Sequence, residues 1–89
     1  YVFHQANRYI IDNIRRRLKL PAEKVPAGTV ERFGNQSSAS IPATLTDHYG
    51  EQLCQRSHRM ILSGFGVGLS WATCAVELPA LRCNALVEC

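Results

Sequence analysis

The sequence predicts an α/β fold in which helices pack on a mixed β-sheet. Three observations support this prediction: the chain opens with an aromatic and β-branched run, continues with a helical hydrophobic pattern, and later has two apolar runs around alternating glycines. The resulting order of elements, β-α-loop-α-β-β, is typical of a sheet covered by helices. With 89 residues and 46% hydrophobic content, the chain can form one small domain with one modest core.

The first predicted elements are a short strand and an amphipathic helix. Residues 1–3 are aromatic or β-branched and predict the end of a buried strand. A helix is predicted over residues 7–19, with Asn7 as a suitable N-cap and Pro21 as the residue that ends it. The apolar residues of this helix recur at helical spacing on one face, and they are Ile10, Ile11, Ile14 and Leu18.

A second helix is predicted after a connection that contains proline and glycine. Residues 21–28 form the connection, and residues 29–33 are predicted to be a short extended piece. The helix has Pro42 in its first turn and ends near Tyr49, where Gly50 suits the C′ position. Its N-cap is predicted to be one of three serines, Ser37, Ser38 or Ser40.

The last predicted elements are two strands, at residues 59–63 and 69–78. They are expected to pair antiparallel because so few residues separate them. Residues 60–76 carry no charge and approach the minimum length of a membrane helix. Three glycines interrupt that stretch and favour a tight turn between strands instead, and they are Gly64, Gly66 and Gly68.

The charge distribution leaves several kinds of partner open. The net charge is +3, and much of it lies in a basic cluster formed by Arg8 and residues 15–19. A basic helix face of this kind can bind nucleic acid, a membrane surface or an acidic protein. A solvated helix face without a partner is the simpler interpretation.

The four cysteines do not predict a metal or redox site. No pair has the C-x-x-C spacing of such sites, and the chain lacks the loop-rich pattern of a disulfide scaffold. We therefore expect reduced thiols and a cytoplasmic location, although two disulfides in a secreted protein are an alternative. Cys74, inside a predicted strand, is expected to be a small buried hydrophobic residue.

Two polar residues are candidates for a functional site. His4 follows a predicted strand and precedes a helix, a position that faces the ligand crevice in α/β folds, although a purely structural histidine is also common there. Asn35 follows Gly34 and could be a turn residue, or its amide could complete a two-donor oxyanion hole beside His4. The alternating glycines fail the dinucleotide-binding pattern because a strand follows them.

Three motifs in a fixed order give the sequence a family resemblance. They are H-Q-A-N at residues 4–7, G-N-Q-S-S-A-S-I-P at residues 34–42 and G-F-G-V-G-L-S-W at residues 64–71. Together they resemble the C-terminal half of β-ketoacyl-[acyl-carrier-protein] synthase III, one of the thiolase-like condensing enzymes. The resemblance covers residues 1–78 and implies a half-domain there, with residues 79–89 as a C-terminal extension.

The resemblance implies a role for several residues. His4 and Asn35 would donate hydrogen bonds to a malonyl thioester oxygen during decarboxylative condensation, and the backbone N–H of Val67 would serve the acyl-cysteine step. Ala6 and Asn7 would line the pantetheine channel. Three basic residues would bind the acyl-carrier protein, and they are Arg8, Arg16 and Arg17. The family's nucleophilic cysteine has no counterpart in this chain, so the chain alone is expected to be inactive.

The resemblance also implies the partners of the chain. They are the missing N-terminal half of the same enzyme, acyl-CoA and acyl-carrier protein, in a homodimeric parent, with no cofactor, metal, nucleic acid or membrane. Two alternatives are a homologue that transfers acyl groups without decarboxylation and a non-catalytic module that binds a carrier protein. The sequence departs from the family pattern at Tyr9, at Gln36 and in the turn at residues 55–58.

Overall fold

The computed structural model describes residues 1–82, in which three strands form one mixed sheet. The strands are β1 (Val2–Phe3), β2 (His58–Gly66) and β3 (Ser70–Leu78), in the order β1-β2-β3. β1 pairs parallel with β2, and β2 pairs antiparallel with β3. The predicted α/β class and the predicted antiparallel pair are therefore confirmed.

Three helices connect β1 to β2, and they are α1 (Arg8–Arg17), α2 (Gly28–Phe33) and α3 (Ser40–Gln55). Short 3₁₀ turns at Ala22–Lys24 and Ser37–Ala39 precede the second and third helices. The predicted cap of the first helix is confirmed, because the Ile10 N–H donates to Asn7 Oδ1 at 2.9 Å. The helices supply the long crossover that a parallel strand pair requires.

One hydrophobic cluster of the core lies between α1, the sheet and the connection that follows α1. Its buried members come from all three places, and they are Phe3, Ile11, Val25 and Ala27. Ile11 is fully buried, whereas the other apolar residues of α1 are half-buried or exposed. The apolar face of α1 predicted from the helical spacing therefore includes the residue that packs in the core.

The prediction of an extended piece at residues 29–33 is wrong, because these residues belong to α2. Thr29 and Val30 favour strands intrinsically, but Thr29 is buried against the rest of the domain. The Val30 N–H, in the first turn, donates to Gln5 Oε1 at 3.2 Å. Gly34 ends α2 at a φ of 72°, with its N–H donating to Val30 O at 2.8 Å. Contacts with a distant glutamine and a C-terminal glycine thus override local propensity.

Pro42 lies in the first turn of the second long helix, α3, as predicted, but the predicted serine cap and the predicted end of this helix are wrong. Ala39 occupies the N-cap position, so no serine side chain caps the helix. The helix continues through Gly50 to Gln55 because Leu53, one turn beyond the glycine, is buried with 1% exposure. Leu53 O also accepts a hydrogen bond of 2.7 Å from the Leu81 N–H. Burial of Leu53 outweighs the helix-ending tendency of glycine.

The hairpin of β2 and β3 extends beyond the sheet region covered by helices. Cys74 is exposed, so the prediction of a buried residue is wrong: β3 is the edge strand, and its residues from Ser70 to Ala75 have no covering layer in the described part of the chain. The predicted extension 79–89 lies mostly outside the described residues. None of the helices between residues 1 and 82 has the length and apolar character needed to cross a membrane.

Candidate functional site

A cavity of about 670 Å³ lies where β1 and β2 end and α3 begins. His4, Asn35 and Val67 all line it, together with Ser40 and Phe65. The carboxyl ends of parallel strands open onto the same edge of a sheet, which is why the end of β1 and the end of β2 meet there. The structure therefore brings together residues from all three sequence motifs.

The backbone and ring contacts of His4 orient its side chain at this edge. The His4 N–H donates to Ser63 O at 2.8 Å and continues the pairing of β1 with β2 beyond the strand. The Phe65 ring packs perpendicular to the imidazole, with 5.2 Å between ring centroids. On its other side, His4 Nδ1 lies 2.5 Å from Ser40 Oγ. One ring nitrogen is thus engaged by the protein, and Nε2 is the nitrogen left for a ligand.

The amide of Asn35 has a defined orientation. Its Oδ1 accepts a hydrogen bond of 2.9 Å from the Ser37 N–H. A backbone N–H can only donate, so this contact distinguishes the amide oxygen from the amide nitrogen. Asn35 is therefore a turn residue, and its NH₂ group remains a donor beside the cavity.

Val67 forms part of the tight turn between β2 and β3. Gly68 follows it at a φ of 124°, a conformation that L side chains rarely adopt. The Val67 side chain is fully exposed, and the turn borders the cavity that contains His4. Gly64 lies in β2 beside the first turn of α3, where a Cβ atom would be 3.6 Å from Ile41 Cδ1. Gly64 and Gly66 therefore form part of the cavity wall without side chains.

Ala6 and Asn7 are not among the residues that line the cavity. Asn7 uses its side-chain oxygen to cap α1, and Ala6 is half-buried beside it. Both residues follow His4 closely in the chain, yet neither borders the cavity. Their assignment to a pantetheine channel stays a prediction.

The three arginines assigned to carrier docking have different surroundings. Arg8 forms ion pairs with Glu31 and, at 3.5 Å, with Asp12. The Glu31 hydrogen bond and the two negative charges raise the pKa of the Arg8 guanidinium above its usual value. Arg16 and Arg17 are exposed at the end of α1, and no acidic side chain within residues 1–82 pairs with them. These two are the more available to an acidic partner.

Gln5 is a buried polar residue next to the site, and sequence reasoning did not identify its role. Its side chain is fully buried, and the residue follows His4 in the chain. The Nε2 group donates to Phe3 O at 3.0 Å and to Pro26 O at 3.3 Å, and Oε1 accepts from the Val30 N–H at 3.2 Å. A polar residue next to a buried strand was the available signal, since such a residue must find partners within the protein.

The contacts of Ser40 and Phe65 were also not predicted. The sequence marked Ser40 only as a possible helix cap, yet its hydroxyl contacts His4, and Phe65 packs on the same ring. Nothing local links residues that lie so far apart in the chain. Their contacts depend on the parallel pairing of β1 with β2 and on where α3 begins.

Comparison with known proteins places these features in a family. Residues 1–78 match the family model described as 3-oxoacyl-[acyl-carrier-protein (ACP)] synthase III C terminal. A β-ketoacyl-[acyl-carrier-protein] synthase III of Prochlorococcus marinus (strain MIT 9301) is 37% identical over 76 residues, 85% of this chain and 22% of that protein. A β-ketoacyl-[acyl-carrier-protein] synthase III 1 of Halalkalibacterium halodurans is 42% identical over 74 residues, 83% of this chain and 23% of that protein.

The fold has a matching crystal structure. A 3-oxoacyl-(acyl-carrier protein) synthase from Burkholderia xenovorans LB400 superposes with a TM-score of 0.81 and 35% identity, over 94% of this chain and 24% of that chain. The chain thus spans about a quarter of the length of the relatives it matches. With its three motifs around one cavity, a mixed sheet and a matched region of 78 residues, the chain belongs to the synthase III C-terminal family of thiolase-like condensing enzymes.

Proposed function

We propose that this chain contributes the histidine and asparagine of a Cys-His-Asn site in a synthase III type acyltransferase. The reaction would be the decarboxylative condensation of an acyl-CoA with malonyl-[acyl-carrier-protein] in fatty acid or polyketide biosynthesis. The observation that carries the proposal is that His4 and Asn35 line one cavity at the sheet edge. Family membership and the names of the relatives support the choice of substrates.

In the proposed mechanism, two neutral donors stabilise one developing negative charge. The Nε2–H of His4 and the NH₂ of Asn35 donate to the thioester oxygen of the malonyl group. The carbon–carbon bond to the carboxylate breaks and carbon dioxide leaves. The electron pair of that bond stays with the malonyl carbon and forms an enolate, whose negative charge lies on the thioester oxygen. Donors that are already in place lower the energy of this state because they need no reorganisation during the reaction.

The carbon of the enolate then attacks the carbonyl of an acyl-cysteine. A carbon–carbon bond forms, the cysteine thiolate leaves, and the backbone N–H of Val67 would stabilise the intermediate oxyanion. The cysteine would come from the N-terminal part of the enzyme, so we expect no turnover from this chain alone. We propose no cofactor or metal for the reaction. A homodimeric parent in the cytoplasm completes the proposal.

The test is to replace each donor in the whole protein. His4→Ala or Asn35→Ala should slow release of carbon dioxide from malonyl-carrier protein by roughly 10²–10³-fold, as removal of one oxyanion donor typically does. Self-acylation by labelled acyl-CoA should fall much less, because the donors serve the other substrate. Matched controls are His48→Ala and Asn13→Ala, which remove the same side-chain types from α3 and α1, outside the cavity.

Three outcomes would contradict the proposal. Decarboxylation at the wild-type rate in both variants would remove His4 and Asn35 from the chemistry. A wild-type protein that transfers acyl groups without releasing carbon dioxide would be the non-decarboxylating homologue instead. A protein that binds the carrier but neither acylates itself nor releases carbon dioxide would be the non-catalytic binding module.

A further inference from the structure

We infer that Ser40 is a positioning residue that directs the proton of the neutral His4 ring to Nε2. The inference deepens the proposed function and rests on it for the catalytic consequence. Ser40 Oγ lies 2.5 Å from His4 Nδ1 and 3.3 Å from the Gln5 N–H. Ser40 is 1% exposed, so its hydroxyl is closed off from solvent.

The direction of these two hydrogen bonds follows from the chemistry of their partners. The Gln5 N–H can only donate, so Ser40 Oγ is the acceptor in that contact. The remaining hydroxyl hydrogen is buried and needs an acceptor within the protein. His4 Nδ1 is the acceptor that the structure offers at hydrogen-bond distance. Nδ1 therefore has its lone pair toward Ser40, and the ring hydrogen is on Nε2.

The backbone around Ser40 keeps the hydroxyl in this place. Ser40 is the first residue of α3, and its carbonyl accepts a hydrogen bond of 2.7 Å from Thr44 Oγ1. A serine in a helix commonly bonds to its own backbone, whereas this hydroxyl contacts a residue in the first strand region, 36 positions earlier in the chain. Phe65 contacts the imidazole as well, so the ring is oriented by Ser40 and by an aromatic neighbour.

The tautomer matters because the two forms of the ring have opposite effects on an oxyanion. With the hydrogen on Nε2, His4 presents a donor to the cavity. With the hydrogen on Nδ1, it would present a lone pair to a developing negative charge and would oppose the reaction. A second residue that selects the useful tautomer is a common feature of histidine sites. Ser40 has that role here through one short hydrogen bond.

The first measurement is the tautomer itself, in the whole protein labelled with ¹⁵N-histidine. Long-range ¹H–¹⁵N spectra distinguish a protonated ring nitrogen from an unprotonated one, and His4→Ala identifies the His4 signals. We expect Nε2 protonated and Nδ1 unprotonated in the neutral wild-type ring. Ser40→Ala should shift His4 toward the other tautomer. Ser40→Thr, which retains the hydroxyl, should restore the wild-type pattern.

The second measurement is carbon dioxide release from malonyl-carrier protein. Ser40→Ala should lower the rate roughly tenfold, as expected for the loss of one neutral hydrogen bond, and less than His4→Ala does. Ser40→Thr should recover most of the rate. Thr46→Val is the matched control: its hydroxyl is on the same helix but bonds to Pro42 O at 3.1 Å, so neither readout should change.

The two readouts separate this inference from the proposed function. A wild-type His4 protonated on Nδ1 would overturn the inference without any variant, even if Ser40→Ala failed to fold. The inference also fails if Ser40→Ala keeps the wild-type tautomer and rate. If the tautomer depends on Ser40 but the wild-type protein releases no carbon dioxide, the inference stands and the proposed function fails.

Discussion

Replacing Gln5 tests whether a buried polar side chain stabilises the region behind the site. Gln5→Met keeps the approximate size and shape of the side chain but removes its amide. Three backbone groups then lose a partner: Phe3 O, Pro26 O and the Val30 N–H. Gln5→Ala removes the same hydrogen bonds and also leaves a space. The pair of variants therefore separates hydrogen bonding from packing.

The expected magnitude follows from the contacts. A donor left without an acceptor in a buried place costs about 1–3 kcal/mol, and each carbonyl that loses one of its bonds costs about 1 kcal/mol. Gln5→Met should therefore lower the free energy of unfolding by about 3–5 kcal/mol. Gln5→Ala should add about 2–5 kcal/mol, because Gln5 is fully buried and the surroundings can relax only in part.

Urea denaturation of the whole protein measures both losses, and amide hydrogen exchange locates them. Exchange at the Val30 N–H should accelerate more than exchange at Ile10, whose amide is bonded to Asn7 in another part of the domain. A Gln5→Met protein within about 0.5 kcal/mol of the wild type would refute the reasoning, since that is the usual range for surface substitutions without effect.

Three further predictions concern the turn, a half-buried phenol and the basic helix end. Gly68→Ala should destabilise the protein by about 1–3 kcal/mol, because residue 68 has a φ of 124°. Gly28→Ala is the control and should not destabilise it, since the added Cβ would meet nothing within 4 Å. Equal melting temperatures of the two variants would contradict this prediction. Burial raises the pKa of the Tyr49 phenol, so the contribution of this group to stability is present below about pH 10 and is lost at higher pH. In urea denaturation, the free energy of unfolding of Tyr49→Phe should therefore decrease less with rising pH than that of the wild type. Arg16→Glu with Arg17→Glu should slow turnover of malonyl-carrier protein but not self-acylation by acyl-CoA, and equal losses in both assays would exclude a docking role.

The sequence alone determined the fold class, the order of most elements and the residues worth testing. The helical spacing of the isoleucines in α1 and the cap at Asn7 are local features, because the partners lie within four residues of each other. The glycine turn between β2 and β3 is local as well. The three motifs carried the family resemblance, which the comparison over residues 1–78 confirmed. The roles of His4 and Asn35 stay predictions.

Only the tertiary structure decided the features that depend on distant partners. The helical state of residues 28–33 depends on Gln5, and the length of α3 depends on burial of Leu53. Ser40 resembled a helix cap in the sequence, but parallel pairing of β1 with β2 places His4 beside its hydroxyl. Propensity describes a residue and its near neighbours, whereas these choices are made by hydrogen bonds and burial across 25 to 36 positions of the chain.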